Sequence, residues 1–192
     1  MGLLIASVTA NAGVIEINSQ DAFNARGTIV QNTNFQSYGS GFSFPSNPLV
    51  IGNETFRANS PSIGGDDYGF SQQNFTDNSI SGVTIDIANS FNLFAVDAGN
   101  YDSAGAQTFN VITNLGTYSF TENLTSATYT FFGFEATGGE NIISFNDGSG
   151  NLAPGFTNVQ LGNVSAVPVP AAVWLFASGL LGLGALRKKA QA

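Results

Sequence analysis

Carboxylates carry nearly all of the chemistry open to this sequence. It contains neither Cys nor His, which removes thiol nucleophiles, disulfide scaffolds, zinc sites of the usual Cys/His kind and imidazole proton transfer. Glycosidic hydrolysis needs only two carboxylates, and Glu16, Glu54, Glu122, Glu135 and Glu140 are present. None stands in a catalytic motif, their neighbours read as strand faces and turns, and no GxSxG, phosphate-binding loop or dinucleotide fingerprint occurs. The chain therefore reads as non-enzymatic. Acidic loops offer a second chemistry, because hard cations take carboxylate and carbonyl oxygens. The candidates are Asp66 and Asp67 after Gly64-Gly65, Asp97 with Asp102, and Asp147 between Asn146 and Gly148. Neither EF-hand spacing nor a glycine-rich nonapeptide repeat is present, so these acids read as solvated turn residues. One weak structural Ca2+ site is the hypothesis they allow; no other cofactor is implied.

Charge narrows the partners. The 13 acids outnumber the 5 bases, for a net charge of −8. Three of the bases, Arg187, Lys188 and Lys189, crowd the C-terminus, so the rest of the chain sets Arg26 and Arg57 against every acid. A body of that sign is repelled by phosphate backbones, which excludes nucleic acid as a partner.

The elements that must position these groups are strands. A length of 192 residues allows one sizeable core. Period-2 alternation of β-branched and aromatic residues predicts strands at 14–17, 28–30, 42–44, 49–51, 83–87, 91–96, 108–113, 117–120, 128–134, 142–145 and 156–161. Asn114, Gly138-Gly139 and the run from Asn146 to Gly150 punctuate them as turns. Short strands at this density predict an all-β fold, a jelly-roll-like β-sandwich over residues 13–163. One helix is expected, from Ser19 to Ala25, with Ser19 as its cap. Phe91, Leu93, Phe109, Phe120, Phe131 and Phe145 are the expected core. Tyr68 and Tyr101 are rings that could stack on sugar, whereas Trp174 belongs to an apolar tail.

Both ends read as addresses. Residues 1–12 are a short apolar run closing on Ala10-Asn11-Ala12, the small-x-small pattern of signal peptidase cleavage. Cleavage after Ala12, within this residual signal peptide, would leave Gly13 at the N-terminus. At the other end Val167-Pro168-Val169-Pro170 precedes an uncharged run from Ala171 to Leu186, followed by Arg187-Lys188-Lys189. As a helix that run would span roughly 24 Å, slightly short of a bilayer's apolar core, and snorkelling basic stems make up the difference. The trailing cations place that end in the cytoplasm and the sandwich across the membrane, as the N-terminal signal also requires.

The segment 167–189 resembles the PEP-CTERM sorting tail: a proline motif, a transmembrane helix rich in Ala, Leu and Gly with an embedded Ser178-Gly179-Leu180, and a basic cluster. Val169 stands where a Glu gives that family its name, as in its Val-Pro-x-Pro variants. The resemblance implies transient residence in the inner membrane of a Gram-negative bacterium and processing at residues 167–170 by exosortase, a membrane transpeptidase. Delivery to the cell surface or the exopolysaccharide matrix would follow. Phe23-Asn24-Ala25-Arg26-Gly27, Phe132-Gly133-Phe134 and the closing Phe156 to Gly162 resemble a jelly-roll domain common among such proteins. Many of those domains carry Asp-Asn in the closing strand, where this chain has Thr157-Asn158. The expected role is structural, adhesive or exopolysaccharide-associated. A carbohydrate-binding module, a carboxylate-based glycoside hydrolase and a permanently anchored surface protein are the alternatives.

Overall fold

A computed structural model describes residues 13–39, 43–64, 72–77, 82–101, 104–149 and 154–165. In chain order the strands are β1 Gly13–Ile17, β2 Gly27–Thr33, β3 Leu49–Ile51, β4 Glu54–Arg57, β5 Pro61–Gly64, β6 Asn74–Asp77 and β7 Thr84–Phe91. They continue as β8 Leu93–Asn100, β9 Gly105–Thr113, β10 Thr117–Leu124, β11 Thr130–Thr137, β12 Ile142–Ser149 and β13 Pro154–Val164. Helix α1, Gln20–Asn24, lies between β1 and β2. These strands form two antiparallel sheets. One runs β1-β11-β8-β13-β6-β5, with β2 also paired to β13, and the other runs β10-β9-β12-β7-β4-β3.

The sheets face each other because alternation gives each one apolar face. Phe94, Val96, Phe134 and Phe156 from the first meet Phe56, Ile85, Phe109 and Phe145 from the second in one buried cluster. The chain changes sheet abruptly at Asn92, between β7 and β8. That corner is held because Asn92 Oδ1 accepts the Val164 amide at 2.8 Å and its carbonyl accepts the Ala136 amide at 2.9 Å.

Ser19 caps α1 as its position predicts, its hydroxyl accepting the Ala22 amide at 3.3 Å. The helix carries Phe23 onto the outer face of the seven-stranded sheet, edge-on to Phe131 at 5.8 Å, above Ile17, Leu93 and Ala95. Two expected core residues, Leu93 and Phe131, thus belong to this smaller outer cluster. Phe91, Phe109 and Phe145 lie in the main one, and half-buried Phe120 closes its edge against Phe134 at 4.9 Å. Replacing Ser19 with alanine is expected to cost about 0.5–1 kcal/mol. A urea titration checks this: its midpoint falls while its slope is unchanged.

Several sequence expectations need correction. Asn146-Asp147-Gly148 is not a turn but the continuation of β12. Pairing with β9 overrides the local turn preference, and Gly148 leaves the room that the Asn110 side chain takes. Gly64, ahead of Asp66 and Asp67, belongs to a strand, β5. The strand expected at 42–44 is reduced to a single bridge between Ser43 and Ile63, and Phe42 lies outside the described residues. Strands β4, β5 and β6 were not signalled by alternation at all.

Candidate functional site

One end of the six-stranded sheet opens into a cleft of about 410 Å³. Asn47 and Pro48 form one wall, Arg57, Ala58 and Asn59 follow from the end of β4, and Gly82 and Thr84 come from the start of β7. Antiparallel register sets Arg57 opposite Thr84, which brings the Arg57 Nε to Asp86 Oδ2 at 2.7 Å. Both partners are half-exposed, so this ion pair orients the guanidinium more than it stabilises the fold. The Asn47 amide reaches across to donate to the Ala58 carbonyl at 2.5 Å. The rim therefore presents a cation, side-chain amides and a hydroxyl around the flat ring of Pro48, a surface suited to a polar ligand.

Two carboxylates lie behind this rim. Asp77, buried at the end of β6, accepts the Asn59 amide on Oδ2 at 2.9 Å and the Ser60 amide on Oδ1 at 3.0 Å. Asp147 is 9% exposed, and its Oδ1 has no hydrogen-bond partner. Its backbone amide donates to the Val83 carbonyl at 3.2 Å, which places the side chain against Gly82. Burial pushes the Asp147 carboxyl up to about 7; amide hydrogen bonds from Val83 and its own backbone oppose the rise, and the Asp77 charge adds to it. The expectation that Asp147 is a solvated turn acid is overturned, because strand alternation turns it inward.

Asp97 is not a turn residue either. It lies within β8 on the seven-stranded sheet and accepts the Asn158 side-chain amide at 2.7 Å. Burial raises its pKa and this hydrogen bond opposes the rise. Asn158 reaches it from a left-handed backbone position (φ 47°) where the β8–β13 register shifts. Asp97 and Asp147 thus sit on different sheets. Nearby, Tyr101 donates to Asn74 Oδ1, and Asn74 donates in turn to Tyr129 at 2.6 Å. Tyr101 is thereby engaged within the fold as well as half-buried. Asp66, Asp67, Asp102, Tyr68 and the cleavage residues Ala10 and Ala12 lie outside the described residues, as do Val167–Pro170, Trp174 and Arg187–Lys189. Among the described residues no three acids form a metal-binding group, and no helix is long and apolar enough to cross a membrane.

The glutamates have separate settings, and none lines the cleft. Glu140 is buried and accepts the Tyr118 hydroxyl at 2.8 Å and the Thr113 hydroxyl. Glu135 faces Arg26 at 3.3 Å. Glu16 and Glu122 meet where edge strands β1 and β10 come together; burial raises the Glu16 pKa first, then the Glu122 charge and the hydrogen bond between the two carboxyls. Glu54 is the extreme case, 0% exposed with neither oxygen hydrogen-bonded. Burial lifts it to about 7, offset in part by its polar neighbours Thr33 and Gln31. Gln31 has little left to offer, since its amide donates to Thr33 Oγ1 at 3.1 Å and to the Ile51 carbonyl at 3.0 Å.

Sequence reasoning passed over Arg57 and Asp77. The one signal available was that Arg57 is one of only two bases outside the C-terminal cluster. No protein-family model matches this chain, and no curated protein sequence matches it.

Proposed function

We propose that this is an exported, non-enzymatic protein of a Gram-negative surface or extracellular matrix, sorted by exosortase through its C-terminal tail. The observation that carries the reading is the order of three physically distinct parts: Val167-Pro168-Val169-Pro170, the uncharged run from Ala171 to Leu186, and Arg187-Lys188-Lys189. The run would form a transmembrane helix in the inner membrane, its trailing cations held on the cytoplasmic side, with the proline motif presented to the transpeptidase outside. The two facing sheets would be the jelly-roll-like cargo. In the matrix the acidic body would act as a structural or adhesive element associated with polysaccharide, and the polar cleft is where a sugar hydroxyl array would find amide and guanidinium donors.

Mass spectrometry of the surface fraction tests this. Mature chains are expected to end at or near the proline motif, and the Pro168→Ala/Pro170→Ala variant is expected to accumulate in the inner membrane. Surface chains still ending at Ala192 would overturn processing and leave a permanent anchor.

A further inference from the structure

We propose that the outer face of the six-stranded sheet is a binding track for a neutral, linear polysaccharide, which lies across the strands and ends in the cleft. This rests on the polysaccharide association proposed above and names the ligand's class and path. The path is a single row set by strand register. Ser119 on β10 stands opposite Asn110 on β9, and Asn110 opposite Asn146 on β12. Asn146 in turn stands opposite Thr84 on β7, and Thr84 opposite Arg57 on β4. At about 4.8 Å between strands, these four steps cover roughly 19 Å. Alternation turns all five side chains outward, because their strand neighbours Phe120, Phe109, Phe145, Ile85 and Phe56 face the core. The last two members, Thr84 and Arg57, also line the cleft, so track and cleft are one continuous surface.

Hydrogen bonds within the row hold it ready. Ser119 Oγ donates to Asn110 Oδ1 at 2.7 Å, and Asn110 Nδ2 donates to Asn146 Oδ1 at 2.9 Å. This relay ends at Asn146, whose own amide hydrogens remain for a ligand beside the Thr84 hydroxyl. Side chains fixed in this way lose little freedom on binding. Hydroxyls flank the row as well: Thr108 and Thr121 pair at 3.0 Å on one side, and Ser144 donates to Asp86 at 3.3 Å on the other. A polymer bearing hydroxyls on every unit matches such a strip. Charge points the same way. Arg57 carries the row's only charge, and Asp86 offsets it at 2.7 Å. The chain around it is acidic, with a net charge of −8, so a polyanion is repelled. A row of Ser, Asn, Thr and Arg also offers no apolar side chain to a lipid or to the hydrophobic centre of a protein partner.

Affinity electrophoresis of the full-length chain in a mild, sugar-free detergent tests this. Native gels carry laminarin, galactomannan or hydroxyethyl cellulose as neutral polymers, and alginate as an anionic one. At least one neutral polymer is expected to retard the chain, and alginate to leave its mobility unchanged. The Asn110→Ala/Asn146→Ala variant is expected to bind about tenfold more weakly, because ligand-facing donors are lost. Thr84→Val, which keeps the side-chain shape, is expected to weaken binding about fivefold. Gln20→Ala, in the helix on the opposite sheet, is expected to bind as the parent does. A hexasaccharide of the bound polymer should compete far better than its disaccharide, which is shorter than the row. The proposal fails if alginate retards the chain more strongly than the neutral polymers, or if the row variants bind like the parent. Binding that survives Asn110→Ala/Asn146→Ala but is lost in Asn47→Ala would keep the cleft as a sugar site and remove the track. No retardation by any polymer would remove the polysaccharide association along with it. None of these outcomes depends on how the tail is sorted.

Discussion

Replacing Phe145 with alanine is expected to cost about 3–5 kcal/mol, a large part of the roughly 5–15 kcal/mol that holds a domain folded. The residue is 0% exposed and is the hub of the aromatic core. Its ring stacks on Phe94 at 4.9 Å and on Phe109 at 5.5 Å, meets Phe156 edge-on at 5.8 Å, and tilts against Phe134 at 6.1 Å. Those four rings come from β8, β9, β13 and β11, so the truncation removes contacts with both sheets at once and leaves a cavity that no single side-chain rotation fills. Phe145→Leu keeps most of the volume and is expected to lose far less, under about 1.5–2 kcal/mol. Phe44, 75% exposed, is the control: its alanine variant should stay within about 0.5 kcal/mol of the parent. Urea denaturation with a shared slope measures all three, and a Phe145→Ala midpoint equal to that of Phe44→Ala would contradict this account of the core.

Stability should also fall as pH rises through neutrality, and Glu54 contributes to this beside Asp147. The ordinary Glu54 value of 4.5 is lifted by burial to about 7 in the folded chain, so the folded state holds the proton more tightly than the unfolded state does. The stabilising contribution is then complete below about 4.5 and is lost as pH climbs through about 7. At 1.36 kcal/mol per unit the whole span amounts to roughly 3 kcal/mol. Glu54→Gln keeps the shape and removes the titration. The quantity to follow is the difference in unfolding free energy between wild type and Glu54→Gln, measured from pH 4.5 to 8 in EDTA. It should move by roughly 3 kcal/mol against the wild type. A difference that stays level with pH would show that Glu54 does not sit as described.

What the sequence disclosed and what it hid follow from the range of the forces involved. Alternation marks a strand whose two faces differ, so β9 and β10, whose burial alternates along much of their length, were legible. The Ser19 cap is a contact three residues long and was equally plain. Strand β6 is buried at all four positions and shows no period. Asn146-Asp147-Gly148 carries the composition of a turn, and only the distant β9 makes it a strand. The cleft was out of reach for the same reason. Its lining comes from residues 47–48, 57–59, 82 and 84, with Asp77 and Asp147 behind, and nothing local ties those stretches together. Glu54 was visible as a glutamate; its burial became visible only once Gln31 and Thr33 on β2 were brought alongside it.

The last strand among the described residues is an interior member of its sheet: β13 has β8 on one flank and both β6 and β2 on the other. A polypeptide emerging from its N-terminus therefore holds three strands with open hydrogen-bonding edges until residues 154–164 arrive to join them. Such long-range closure slows folding. It also postpones a compact first sheet until residues 154–164 have been made. The same layout makes late truncations severe: loss of the final strand would divide the seven-stranded sheet rather than shorten it.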